Sequence, residues 1–596
     1  MKPKRISSDT LFGGILYDQT MPKNHPFRII KNAINWSEIR KELQKDNTGK
    51  KIKYSHTGAP AVAPLIIFKL LLLQRWHPAS DRKVIQRAKT DVSYRFFLDL
   101  PLPFPLPDYS NLSKFRKLWG EQKIKKVFDI VFNQIQSYGH ADVSQGVAGD
   151  ITHGHARLQR PTARNLLLDC VRKYLFSFHS FTEVFPTQFN KSLMDSTLKD
   201  FQEWEKLYNA KLLSLELSRE ERLTEVVFKV IEIKKIVTQI LTDGNINESN
   251  LTKEYYSFIG ISELLDQIIS ENISISTSND IESKNRPEDQ SHDKFKDLPP
   301  KRKKGIKNTN SELEDEKISS TESVTSQNTS ISQKKGTRKL ISIVDPEARI
   351  GCKHGKTYFL GPKIPITMTY DGFIADIYAI SGSPHDTTQL PTMIENTIQT
   401  SGQIPDISAN DKGFSSLDNR LYLHSRGIQP GIDFDASSNK RNKNLFSSDK
   451  FLVNLTELSV TCPNKIKTFK NTSSPNSTSY TFYFPKEQCV GCPLRKKCTT
   501  NKNGRTINVS KFQGILDADK AYLETESYKG VRKYRWQLEG LNGTLKSQEK
   551  LGDIPYRGLP KTNVHVQLVG IVRNLKTLTK KIIALLSPTN SIPLIS

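Results

Sequence analysis

The chain is poor in the residues that staple or anchor a protein. It has six cysteines in 596 residues, too few for a disulfide framework in a chain of this length. Reduced thiols and an intracellular compartment are therefore expected. The start, Met1-Lys2-Pro3-Lys4-Arg5-Ile6, is basic, but no apolar segment follows it, so no secretory signal is expected. Long apolar runs are also missing. The longest, Ala61 to Leu73, is interrupted by Pro64 and Lys69 and falls short of the ~20 residues of a membrane span; it reads as a buried helix. Acid is scarce relative to base, with 62 Asp+Glu against 88 Lys+Arg and a net charge of +26. Such an excess favours a polyanionic partner, nucleic acid ahead of membrane, over a merely solvated basic surface.

What is present suits a multi-domain α/β protein. Residues 1–140 read as an all-α domain. Asn35 and Ser80 are candidate N-caps and Pro64 a helix opener. Val127, Ile130, Val131 and Ile135 share a helix face, and basic residues such as Lys114 and Arg116 on polar positions suit docking to DNA. Gln145 to Thr152 reads as a strand, within residues 141–160. Residues 161–270, rich in Leu, Ile, Glu and Lys at helical spacing, read as a helical insertion. Aromatics almost vanish over 271–340, which is expected to be a disordered polar linker. Over 341–450 the pattern returns to strands and helices: Pro365 to Tyr370 and Phe373 to Ile380 flank Asp371-Gly372, a hairpin signal. Thr387 to Gln399 reads as a helix, Asp406 to Asn410 as a strand, Leu417 to Ser425 as a helix and Gly427 to Phe434 as a strand. A cysteine-containing insert (451–510) and C-terminal helices (511–596) complete the order.

Three acids stand in suggestive settings. Asp150 ends the run Gly146-Val147-Ala148-Gly149, Asp411 follows Ile407-Ser408-Ala409-Asn410, and Glu539 lies on a late helix. Magnesium prefers carboxylate and phosphate oxygens, and a pair of ions roughly 3.5–4 Å apart can activate the attacking oxygen and stabilise the leaving oxygen of a phosphodiester. Asp150, on a central strand, is the natural bridging ligand. At about 100° per residue, Arg535 lies about 40° and Lys546 about 20° around the helix from Glu539. Both could hold phosphate oxygens beside the ions, as could Lys412, next to Asp411. The plainer alternative is a surface helix laced with ion pairs.

Taken in order, these residues carry a resemblance. Pro107-Asp108-Tyr109-Ser110 to Phe115-Arg116, Asp150-Ile151-Thr152, Asp345-Pro346-Glu347-Ala348-Arg349, Asp411-Lys412-Gly413-Phe414 and Arg535-x3-Glu539-x6-Lys546 resemble the successive signatures of a DDE transposase of a bacterial insertion sequence, in the group with an InsH-type N-terminal domain. Tyr556-Arg557-Gly558 and Asn574-Leu575-Lys576 also fit. The Tyr of the last signature is not matched, since Arg532 occupies its position. The resemblance implies an RNase H-like mixed sheet with flanking helices, preceded by the all-α DNA-binding domain and interrupted by the insertion and linker. It also implies Asp150, Asp411 and Glu539 as catalytic ligands of two Mg2+ ions, with Mn2+ able to substitute. Cleavage at transposon ends would give a 3′-OH that attacks target DNA. The expected partners are double-stranded DNA, namely terminal inverted repeats and target, and a second copy of the chain; the expected place is the bacterial cytoplasm at the nucleoid. A metal-dependent nuclease without strand transfer, and an inactive DNA-binding descendant, stay open.

Cys462, Cys489, Cys492 and Cys498 lie between the second and third acids. Cys489-Val490-Gly491-Cys492 has the two-residue gap of a zinc knuckle, and four thiolates could close a tetrahedral structural site; buried free thiols are the alternative. Cys170 and Cys352 read as ordinary buried residues. His153 and His155 read as neighbours of the acid site, and His385 and Asp386 as capping groups between hairpin and helix, with Asp386 an N-cap.

Overall fold

The computed structural model describes residues 17, 19–45, 49–50, 63–101, 104–158, 161–213, 218–246, 250–277, 329–334, 339–353, 357–434 and 445–586. The chain divides into two units, Met1–Arg157 with Gly351–Ser596, and Leu158–Ile350.

The first unit opens with helices α1 (Pro26–Ala33), α2 (Trp36–Leu43), α3 (Pro64–Trp76), α4 (Asp81–Thr90), α5 (Val92–Leu98) and α6 (Ser110–Ser137). Asn35 and Ser80 cap α2 and α4, their side chains accepting from the backbone N–H of Ser37 and Lys83. Each cap satisfies a donor that a helix start would leave orphaned. α6 is kinked at Gly120, whose φ of 63° is left-handed and costs little only where no Cβ is present. The two helical stretches expected on either side of that point are thus present, joined through the non-helical Gly120.

Strand β1 (Val147–His153) follows, and the second unit is inserted shortly after it. That unit holds α7 (Ala163–Val184), α8 (Lys191–Leu213), α9 (Arg219–Asp243) and α10 (Lys253–Asn272) around a core of its own. Leu167, Val171, Leu175 and Phe178 recur at helical spacing along α7 and meet Val226, Val230, Phe258 and Leu265 in that core. Here the expectation of a linker starting at residue 271 needs correcting. Ile273–Thr277 pairs antiparallel with Thr329–Gln333; the first segment alternates Ile with Ser, the period of a strand, and the second sets Ile331 between two serines. Residues 278–328 and 335–338 of the expected linker lie outside the described residues.

The first unit resumes with β2 (Lys363–Thr369), β3 (Ile374–Ile377), α11 (Leu390–Ser401), β4 (Ile407–Asn410), α12 (Leu417–Ser425) and β5 (Gln429–Ile432). The five strands form one sheet in the order β5-β4-β1-β2-β3. β1 runs antiparallel to β2, and β2 to β3, around the Asp371-Gly372 turn. On the other side β4 is parallel to β1, and β5 to β4. Parallel neighbours bring their C-terminal ends to the same edge, so whatever follows β1 and β4 is brought together. Helices α13 (Gln513–Leu523), α14 (Glu526–Ser547) and α15 (Leu559–Leu586) end the unit. α14 packs over β1, β4 and β5, and α15 against α6, α3 and β3.

One hydrophobic core runs from Phe27, Ile39 and Phe68 through Val127, Val131 and Ile366 to Val569 and Leu575. The N-terminal helices therefore share a core with the sheet and α15, rather than forming a domain that ends at residue 140. The polar stitching agrees: Arg75 Nη2 donates to Tyr556 Oη (3.1 Å), across 481 positions of sequence. Between β5 and α13 sits a small insert of two three-stranded sheets with a separate core of Phe451, Val460, Phe482, Phe484, Ile507 and Val509. No helix among the described residues is long and apolar enough to cross a membrane.

Candidate active site

The register of β1 against β4 pairs Gly149 with Asn410, so Asp150, midway along β1, and Asp411, just past β4, stand at the same level of adjacent parallel strands. A Cβ at Gly149 would stand 2.3 Å from Asn410 Oδ1, so any larger residue here would displace the buried Asn410 side chain. α14 crosses above with Val531, Leu538, Leu541 and Leu545 buried beneath it. This stripe turns Glu539 toward the strand ends. A cavity of about 950 Å³ results, lined by Asp150, Asp411, Glu539, Lys412, Arg535 and Lys546, and also by His153, Cys352, Lys363, Asp386 and Asn542. All three acids singled out in the sequence thus face one space. Cys352, expected to be merely buried, lies on its wall.

Asp150 is the best enclosed of the three. Its Oδ1 accepts from the backbone N–H of Ile151 (2.7 Å) and its Oδ2 from Asn542 Nδ2 (2.6 Å). Burial pushes its carboxyl above the ordinary value; the Ile151 bond opposes this, and the charges of Asp411, Glu539 and Asp386 add to it. Like charges gathered in a half-buried space disfavour ionisation unless a cation joins them. Asn542 Oδ1 is buried without a hydrogen-bond partner, a further oxygen beside Asp150. This donor set is all hard oxygen and fits magnesium or manganese. Even so, among the described residues no three His, Cys, Asp or Glu side chains stand in an arrangement able to hold an ion. Asp150 and Asp411 each accept from a nearby donor.

For Asp411 that donor is Arg535, which revises the expectation of a phosphate-binding arginine. Arg535 Nη2 donates to Asp411 Oδ1 (3.0 Å) and Nη1 to Asp433 Oδ2 (2.8 Å). Lys412 is exposed beside them and Lys546 half-buried, both on the cavity wall. Arg116 needs a plainer correction. Its guanidinium grips both carboxylate oxygens of Asp81, with Nη1 3.0 Å from Oδ1, and stacks over the Tyr556 ring. It ties helices together rather than presenting a free cation. Lys114, by contrast, is exposed. Of the two expected capping groups, His385 caps the helix and Asp386 does not. His385 Nδ1 accepts from the Thr387 N–H, while Asp386 takes Lys363 Nζ at 2.7 Å. His153 stacks on Phe359 with ring centroids 4.5 Å apart.

Asp433, Asn542 and Asp386 were not legible as site residues. Asn542 had one usable signal: three residues past Glu539, it lies on roughly the same side of the helix.

The cysteines fall in the insert. Cys462, Cys489 and Cys498 are partly buried against its small core. Burial pushes the Cys498 thiol up, Arg505 opposes this, and Cys489, Cys462 and Cys492 push it further up, so all four sulfurs share one neighbourhood.

Two family models match the chain: a transposase domain (DUF772) over residues 16–118 and a transposase DDE domain over residues 461–579. The second span contains Glu539, Arg535 and the four cysteines of the insert, but neither Asp150 nor Asp411. No curated protein and no solved structure matches. The two matches, together with the acid-lined cavity, support the assignment of this chain to the DDE transposases of insertion sequences.

Proposed function

We propose that the protein is a DNA transposase that binds the terminal inverted repeats of its element, cleaves them by two-metal-ion phosphodiester hydrolysis and joins the freed 3′-OH to target DNA. The observation that carries this reading is the meeting of Asp150, Asp411 and Glu539 on one cavity, the first from within the central strand, the second from just past its parallel neighbour and the third from the helix laid across them. The strand order, an antiparallel pair on one side of β1 and a parallel pair on the other, supports an RNase H-like catalytic domain. Two Mg2+ ions, when bound, supply Lewis-acid activation of the attacking and leaving oxygens. In this reading Asp150, Asp411 and Glu539 would hold the ions, and Asn542 orients Asp150 through its hydrogen bond to Oδ2. Lys412 and Lys546 hold phosphate oxygens, and the basic faces of the N-terminal helices hold the duplex, with two copies of the chain pairing two ends.

Strand transfer separates this reading from a nuclease on the same fold. With a pre-cleaved end and a target plasmid in Mg2+ or Mn2+, joined products are expected; hydrolysis products alone would contradict the rejoining step. For the four cysteines of the insert we propose a structural zinc, supported by their shared neighbourhood and by a core of only six buried apolar side chains, small enough to need a staple. Metal analysis of protein purified without chelator is expected to find one zinc per chain; none would remove this part of the reading.

A further inference from the structure

Asp433 follows β5 and was marked by nothing in the sequence. Both of its carboxylate oxygens are taken: Oδ2 by Arg535 Nη1 at 2.8 Å, Oδ1 by the Tyr528 hydroxyl at 2.9 Å. Burial alone would push its carboxyl up, but the bonds from Arg535 and Tyr528 outweigh that and hold it below the ordinary carboxylate value. Tyr528 is buried and seated on the sheet, near Gly431. Tyr528 and Arg535 lie seven residues apart, two turns of α14, on one face. The result is a chain of contacts, Tyr528 to Asp433 to Arg535 to Asp411, anchored at its far end and open to the cavity at the other.

We propose that Asp433 is the positioning residue that makes Asp411 available to a cation, by holding Arg535 to a one-armed grip on it. The inference rests on the proposed metal-binding role of Asp411. A guanidinium left to itself can take a carboxylate with two parallel hydrogen bonds, the stronger arrangement, and would then compete with a divalent ion for Asp411. With Nη1 committed to Asp433, only Nη2 reaches Asp411, and the charge of Arg535 is balanced from the side away from the cavity. Tyr528 fixes Asp433 so that this balance holds.

The test is Mn2+ binding to the full chain in the absence of DNA, followed by calorimetry, with melting temperature and end binding as checks on folding. Asp433→Asn is expected to weaken Mn2+ binding about tenfold, and Tyr528→Phe, which leaves the ion pair in place, about two- to threefold. In an Arg535→Gln background, Asp433→Asn is expected to change nothing further, because it acts only through Arg535. Unchanged Mn2+ affinity in Asp433→Asn, or an equal loss in both backgrounds, overturns the proposal. Should Asp433→Asn fail to fold, Tyr528→Phe decides, and wild-type affinity there overturns it. Asp411→Asn separates the two levels. If it leaves Mn2+ binding intact, the metal-site reading itself fails; if it removes binding while Asp433→Asn does not, only the role of Asp433 fails.

Discussion

Two arginines looked alike in the sequence, each a candidate for a DNA phosphate, and the structure gives them different settings. In the N-terminal helices Arg116 meets Asp81, one base against one acid, both largely enclosed. At the cavity Arg535 meets two acids, Asp411 and Asp433, and shares the lining with Asp150, Glu539 and Asp386. The first is a closed pair, whose charges are consumed in holding α3, α4 and α6 together. The second borders an open space whose acids, Asp150, Asp386, Asp411 and Glu539, stand among the cations Lys363, Lys412, Arg535 and Lys546. A closed pair supports a fold; carboxylates that face a cavity stay available to other partners.

The largest expected effects fall on the cavity side. Asp150→Asn, Asp411→Asn and Glu539→Gln should each lower cleavage of a terminus-bearing fragment by more than about a thousandfold, since each removes a ligand of the ions. End binding, read by gel shift, should stay near wild type. On the other side, Arg116→Ala should leave Asp81 unpaired and cost about 2 kcal/mol of stability, between the values for exposed and fully buried pairs. Denaturant unfolding reads this directly, and an unchanged midpoint would mean that Arg116 is free after all.

A pH effect of intermediate size follows from Asp150. Its carboxyl is raised in the folded protein, so the folded state binds a proton more readily than the unfolded chain does. Stability of the metal-free protein should therefore fall as pH rises from the ordinary carboxylate range through the raised value. Asp150→Asn should remove that slope and melt higher than wild type at neutral pH. Parallel curves of melting temperature against pH would refute the burial account of this residue. The smallest effect is expected at exposed Lys114: Lys114→Ala should lower the slope of log affinity against log salt by about one, with cleavage otherwise little changed.

Much of the frame was legible because its signals are local. Asn35 and Ser80 act on residues two and three positions on, and the Asp371-Gly372 turn joins strands that touch each other. Asp150, Asp411 and Glu539 were legible too, through their settings on strand ends and a helix. What escaped depends on distant partners. Asp433 takes its meaning from Arg535, 102 positions away, and Arg116 from Asp81, 35 positions back. The sharing of one core between α6 and α15 is likewise invisible to periodicity, which reports that a face is buried but not against what. The Ile273–Thr277 pair was different: its alternation was visible, and the polar composition around it concealed it.

The measurement that bears most directly on the carboxylate cavity is cleavage of a DNA fragment carrying the element's own terminus, by wild type and by the Asp150→Asn, Asp411→Asn and Glu539→Gln variants, in Mg2+ and in Ca2+. Wild type should bind in both and cut only in Mg2+, and every variant should bind without cutting. Retained cleavage in any one variant would contradict the assignment of that residue, and retained cleavage in all three would place the chemistry elsewhere.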